Sequence, residues 1–582
     1  MSEGSQPRGR RRRRIWLLLL LIGALVWLFG RLSPGVSAPS VEPGSALVLE
    51  LSGEYIEGPE PSLLQRLLGS RRHSFPGLLS ELRKAGRDDR LAAVVLRVRP
   101  LEIGWGKAQE LRSAIAWLRS KGRRTLAYLE LPMGANLEYY VATAADEIHA
   151  SPASAAPLVG LSAEFLFLGG LWEKLGAGFE VVGVGEYKSA AEMLAQREMS
   201  EPHREMAEAL LDSTDEQFVG GISERRELSP AQLRRLLDAP PHAPQGLLEA
   251  GLVDAVGHFD EALAALGDPP VVKGEDYAGV DAASLGFAPQ AQFALVYGAG
   301  SVVVGSGTNT RSGEPVLASD TLWEIFEDIA DDDATRAVIF RIDSPGGSPL
   351  AADIVWRATR LLAESGKPLI VSVSDVAASG GYYVAAGADV IVASPASLLG
   401  SIGVFAMRPV LAGVLQKLDV GSAALTRGAH ADLLLASQPL SEGTRAHMKA
   451  EIEAIYELFV ARVDAGRPLD AEAVGKVARG RVWTGAQAAE RGLVDRLGGL
   501  WDAVDEARRA AGLDPDADVA LVPFPRPRPL AEELAEALRS GIRSASEPAL
   551  PLPRAARSLA AWLEAVAPGS PSLVPPLLIE IH

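Results

Sequence analysis

The sequence predicts an α/β protein built of two tandem homologous halves behind an N-terminal membrane helix. Three observations carry this. Five blocks recur in the same order and at a nearly constant offset, which marks a duplication. Within each half, short apolar runs such as LIVSVS alternate with amphipathic helical stretches, the pattern of βα units on a largely parallel sheet. Ahead of both, RGRRRRR (Arg8 to Arg14) precedes the unbroken apolar run Ile15 to Gly30, closed by Arg31.

The apolar run is short for a span, which usually needs about 20 residues, but Trp16 and Trp27 suit the interfaces and the arginines can snorkel. Val36-Ser37-Ala38 resembles a signal-peptide cleavage site, yet Pro39 follows and hinders cutting, so an uncleaved anchor is expected. The arginine run then stays in the cytoplasm and the rest of the chain lies outside it. The first repeated block pairs AAVVLRV (Ala92 to Val98) with RAVIFRI (Arg336 to Ile342), each a strand followed by a loop and a helix. The second pairs LAYLELPMGANLEYYVATAADEIHASP with SVSDVAASGGYYVAAGADVIVASP, which sets Ser379 opposite Asn136 and Gly380-Gly381 opposite Leu137-Glu138. Ser200-Glu201 then matches Ser441-Glu442, and EAGLVDAVGHFDEAL matches ERGLVDRLGGLWDAV. The expected divisions are a basic anchor at 1–40, halves at 41–290 and 291–521, and a tail at 522–582. That tail begins with the spacer-like PFPRPRP, and later places Leu559, Trp562, Leu563 and Val566 on one helical face, suited to a partner, its own domain or a membrane.

Composition narrows the chemistry. At 48% hydrophobic and 23% charged residues the chain is globular, and a net charge of −17 argues against nucleic acid as a partner. The absence of cysteine removes disulfides, thiolate metal sites and a cysteine nucleophile. The histidines are scattered without ligand spacing, so neither a metal nor a cofactor is expected.

Three loops of the second half point to acyl transfer. In IDSPGGSPLAADI a strand ends in two glycines before a helix, which lets backbone N–H groups such as that of Gly346 approach a ligand oxygen. In AASGG, Ser379 lies at a strand-to-helix turn with the Gly380 N–H beside it, and in LLGSIGV a further loop carries Ser401. A serine needs a base, and the repeat supplies one. Aligned on Gly185 and Gly428, Lys188 of GVGEYKSAAE stands where the second half has Ala431. The first half has thus lost the serine and kept a lysine, while the second has done the reverse. Two copies can divide one Ser–Lys pair, provided Lys188 is held well below its ordinary pKa of about 10.4 by burial. A competing arrangement, Ser379–His430–Asp432 within the second half, uses a histidine and an aspartate too close in sequence to orient well.

The SPGG loop, ASGGYY, SPASLLGSIGV and GEYKSA resemble the long form of signal peptide peptidase, the SppA or protease IV type. This resemblance covers approximately residues 10 to 520 and implies tandem ClpP/crotonase-like domains. It implies Ser379 as nucleophile, Lys188 as general base, Ser401 as the residue that holds the lysine, and the N–H groups of Gly346 and Gly380 as the oxyanion hole. It also implies a homotetramer anchored in the bacterial cytoplasmic membrane, with its catalytic part outside and with released signal peptides and other hydrophobic peptides as substrates. Two other classes compete. A crotonase-like acyl-CoA enzyme shares the oxyanion loops but needs carboxylates where ASGGYY offers a nucleophile, and an inactive peptide-binding scaffold has no reason to keep both Ser379 and Lys188.

Overall fold

The structure is a computed structural model that describes residues 41–60, 73–310, 314–526 and 571–572. Among the described residues no helix is long and apolar enough to cross a membrane. The expected anchor at Ile15 to Gly30 and the helical face of Leu559 to Val566 lie outside them.

The duplication is written into the sheets. In the first half the strands run Val271–Lys273, Ser45–Ile56, Leu91–Glu102, Arg124–Leu129, Glu147–Ala150 and Ala255–Val256 across the sheet, each parallel to its neighbour. In the second half the same order returns as Val519–Phe524, Ala291–Ala299, Thr335–Ser344, Leu369–Ala378, Val390–Ala393 and Arg496–Leu497, again parallel throughout. Strands buried on both faces need continuous apolar sequence, and the Thr335–Ser344 strand is buried at eight of its ten positions. The matched Ser200 and Ser441 prove to be N-caps, each accepting the N–H three residues on, of the helices Glu201–Arg226 and Glu442–Gly466. The matched tyrosines also do one job twice. Tyr139 donates to Leu252 O at 2.6 Å and Tyr382 to Leu493 O at 2.8 Å, tying each short helix to its GLVD turn.

Three features depart from the simple tandem. The second half's sheet continues through Phe524, because PFPRPRP begins inside the strand Val519–Phe524 rather than in a spacer. Strands Gly178–Val184 and Val404–Val410, one from each half, pair antiparallel, and the short strand Pro571–Ser572 lies on the far edge of the latter. Finally, the main apolar core crosses the seam: Leu49, Val94 and Leu111 share it with Phe293, Ile339 and Leu500. A single core places side chains of both halves within reach of one site.

Candidate active site

Lys188 and Ser379 meet at this junction. The Gly178–Val184 strand delivers the chain to Lys188, whose Nζ lies 2.6 Å from Ser379 Oγ. The same nitrogen is 2.9 Å from both Ser401 Oγ and Ser401 O. Ser379 follows the Leu369–Ala378 strand as N-cap of the helix Gly380–Ala385, with φ 55° and ψ −116°. A left-handed backbone at a non-glycine residue costs about 1–3 kcal/mol and persists where surroundings enforce it. Here Ser379 N donates to Gly400 O at 2.7 Å and Ser379 O accepts from Tyr383 N at 2.8 Å. Ser401 is likewise left-handed at φ 52°, its N–H fixed on Arg481 O at 2.7 Å.

All three side chains are buried. Burial alone drives the Lys188 pKa well below its usual value, with no carboxylate among the described residues opposing it. Burial thus shifts Lys188 toward the neutral amine, whose lone pair can accept a proton. This geometry joins the serine of one half to the lysine of the other, as the reciprocal losses predict.

The glycine loops abut the serine. Gly380 is the first residue of its helix, so its N–H is a first-turn donor that the helix itself leaves unpaired. A Cβ on Gly380 would lie 3.1 Å from Gly347 N and 3.3 Å from Gly346 Cα. Gly346 has φ 103°, and its own N–H donates to Ser344 Oγ at 3.2 Å.

The matching place in the first half is plugged. Asn136 Nδ2 donates to Gly160 O at 3.1 Å and its Oδ1 accepts from Val159 N at 3.0 Å. The Glu138 carboxylate accepts the Leu101 N–H at 2.8 Å. Side chains thus occupy the space that serine and two glycines leave free in the other copy. His430 takes a different role from that in the competing triad. It stacks on His447 with 4.7 Å between ring centroids, and Asp432 accepts the Ser441 N–H at 2.7 Å instead of orienting it. Lys188 and His430 each precede a 3-10 turn, Ser189–Ala191 and Ala431–Leu434.

Two contributions carry no mark in the sequence. Gly480, at φ 84°, packs on Lys188 itself: a Cβ there would sit 2.5 Å from Lys188 N and 2.6 Å from Lys188 Cβ. Gly480→Ala is expected to push the lysine off the serine and lower kcat/KM about 100-fold. Measuring kcat/KM beside the melting temperature checks this, and a folded variant with wild-type turnover contradicts it. The second contribution is a charged cluster across the seam. Arg341 is fully buried against Glu57 and Glu110, while Lys107 lies 2.6 Å from Asp343 and 2.8 Å from Asp375. An arginine inside RAVIFRI and a lysine in GWGK give no local sign of such partners.

Comparison with known proteins places the chain among the serine peptidases. The model of Peptidase family S49 matches it twice, at residues 118–271 and 362–514, and the chain belongs to that family. It is 34% identical over 498 residues to the chloroplastic serine protease SPPA of Arabidopsis thaliana, covering 84% of this chain and 72% of the relative. Protease 4 of Haemophilus influenzae is 28% identical over 532 residues, 86% of this chain and 84% of its own. A solved ClpP1 mutant from Listeria monocytogenes matches 36% of this chain and 94% of its own at 13% identity and a TM-score of 0.22, a likeness too slight to bear on the fold.

Proposed function

We propose that the chain is a Ser–Lys endopeptidase with a ClpP/crotonase-like scaffold, in which Ser379 is the nucleophile and Lys188 its general base. The observation that carries this reading is a buried lysine nitrogen 2.6 Å from a strained serine's hydroxyl, its pKa held down by burial. Ser379 Oγ attacks the scissile carbonyl carbon and passes its proton to Lys188 Nζ. The Gly380 N–H, with that of Gly346 turned from Ser344 to the substrate, holds the oxyanion. Collapse breaks the C–N bond, and the leaving amine takes the proton from Lys188. Water then attacks the acyl-enzyme, gives a proton to Lys188, and Ser379 leaves with that proton. Ser401 fixes the lysine through its hydroxyl and carbonyl.

Extended apolar peptides, released signal peptides among them, are the proposed substrates. The matched relatives carry protease names, and the run Ile15 to Gly30 would keep the enzyme at the cytoplasmic membrane, catalytic halves outside, as a homotetramer. The dyad predicts a pH dependence of known sign. Because the amine is the active form, kcat/KM rises with pH, about tenfold per unit, until Lys188 is deprotonated, then levels off. A profile from about pH 5 to about pH 9 with an apolar fluorogenic peptide tests it. A flat profile at constant stability sinks the assignment of Lys188.

A further inference from the structure

The strands that lead to the two catalytic loops are not in simple register. Ile342 pairs with Val373, but the next pair is Ser344 with Ala377, so Asp343 alone opposes Ser374, Asp375 and Val376. Such a bulge bends a strand and re-aims the loop beyond it. Here Gly346 comes three residues after Asp343, and Ser379 four after Asp375. We infer that Lys107, supplied by the first half, is a positioning residue that pins this bulge and thereby sets Ser379 against the oxyanion loop.

The contacts converge on the bulge from both sides. Asp343 Oδ1 accepts the Val376 N–H at 3.1 Å, replacing a lost ladder bond, while its Oδ2 is 2.6 Å from Lys107 Nζ. Asp375 turns toward the other half, where its carboxylate accepts the N–H groups of Gly104 and Lys107 at 3.0 and 2.9 Å, with Lys107 Nζ at 2.8 Å. Two carboxylates on neighbouring strands would repel, and the buried ammonium between them holds both. Burial alone would lower the lysine's pKa, yet Asp343, Asp375 and Glu57 raise it, so Lys107 stays charged. The segment Gly104-Trp105-Gly106-Lys107 is shaped for this contact. A Cβ on Gly104 would lie 2.4 Å from Asp375 Cγ, and one on Gly106 2.4 Å from Ser374 O. The N-cap and first turn of the helix Trp105–Ser120 thus dock on the second half's nucleophile strand. Arg341, the second cation of this cluster, is engaged by Glu57 and Glu110 and leaves these two aspartates to Lys107.

The inference rests on Ser379 being the nucleophile, so Ser379→Ala is assayed in parallel in the full chain; activity surviving there defeats that reading whatever Lys107 does. Lys107→Ala is expected to lower kcat about 100-fold with KM changed less than about twofold, since geometry and not binding is lost. Lys107 and Asp343 line a cavity of about 790 Å³, which gives small cations a route to the gap. Millimolar propylammonium is therefore expected to restore part of kcat, an effect that mere loss of stability does not produce. A folded Lys107→Ala with wild-type kcat, or with a loss that propylammonium leaves untouched, overturns the inference. If that variant does not fold, Asp343→Asn decides. It keeps an acceptor for Val376 while weakening the hold of Lys107, so kcat is expected to fall about fivefold at unchanged KM, a smaller misplacement than the first. Wild-type kcat in Asp343→Asn overturns the inference equally.

Discussion

Ser379→Ala and Lys188→Met are each expected to lower kcat/KM on apolar peptides by on the order of 10⁵, because nucleophile and base act as a unit. The double variant is expected to lose little more than either single one. Removing Ser379 Oγ removes the atom proposed to form the acyl-enzyme, whereas removing Lys188 Nζ leaves that hydroxyl without the nitrogen proposed to take its proton. In neither variant does the backbone have reason to move: the left-handed turn at Ser379 is held by its main-chain bonds to Gly400 and Tyr383. The two variants differ in stability. An unperturbed lysine binds its proton up to about pH 10.4, while the buried Lys188 releases it at lower pH. Between those values the unfolded chain holds more protons, so wild-type stability rises with pH across that window. Lys188→Met lacks this slope, and its stability relative to wild type improves as pH falls. Urea midpoints at several pH values check the sign, and His430→Ala, retaining turnover, is the control against a base in the second half.

Arg341→Ala carries the largest expected effect on stability. Its guanidinium Nε and Nη2 each lie 3.0 Å from a Glu57 oxygen, Nη2 lies 2.7 Å from Glu110, and Nη1 donates to Ser372 Oγ at 2.9 Å. Arg341 and both glutamates are buried, and Ser374 adds a bond to Glu57 at 2.6 Å. Truncation leaves Glu110 without its cation and Glu57 with only the more distant Lys107, 3.7 Å away, a loss of about 3–5 kcal/mol. The opposite treatment separates charge from packing. Arg341→Met with Glu57→Gln and Glu110→Gln removes the charges together and is expected to recover most of the loss. Chemical denaturation of the full chain is the measurement, and an Arg341→Ala midpoint equal to wild type refutes the account. Because the cluster joins the first half to the strand before the oxyanion loop, its loss is also expected to loosen the seam.

Much of this molecule is legible because duplication turns one sequence into two. Aligned blocks expose the repeated βα units, the match of Ser200 with Ser441, and the exchange of Ser379 for Asn136. The Ser–Lys pairing comes from the same source, since residue type at matched positions is a local property that alignment preserves. A one-residue shift of that alignment sets His430 opposite Lys188, and what speaks against the competing triad is tertiary contact, His430 with His447 and Asp432 with Ser441. The end of the second half is misread for a related reason. Prolines in PFPRPRP suggest a spacer, but on the outer strand of a sheet a missing N–H at Pro523 is tolerated, and the strand runs through Phe524.

The tandem α/β architecture and the identity of the two side chains in the candidate dyad thus reside in the sequence, because both depend on patterns carried along the chain. How that dyad is tuned is settled only in three dimensions. Burial of Lys188, the fit of Gly480 against it, the plug of Asn136 and Glu138, and the hold of Lys107 on Asp343 and Asp375 are properties of surroundings. Solvation and close contact are set by residues distant in sequence, and they come into existence when the two halves share a core.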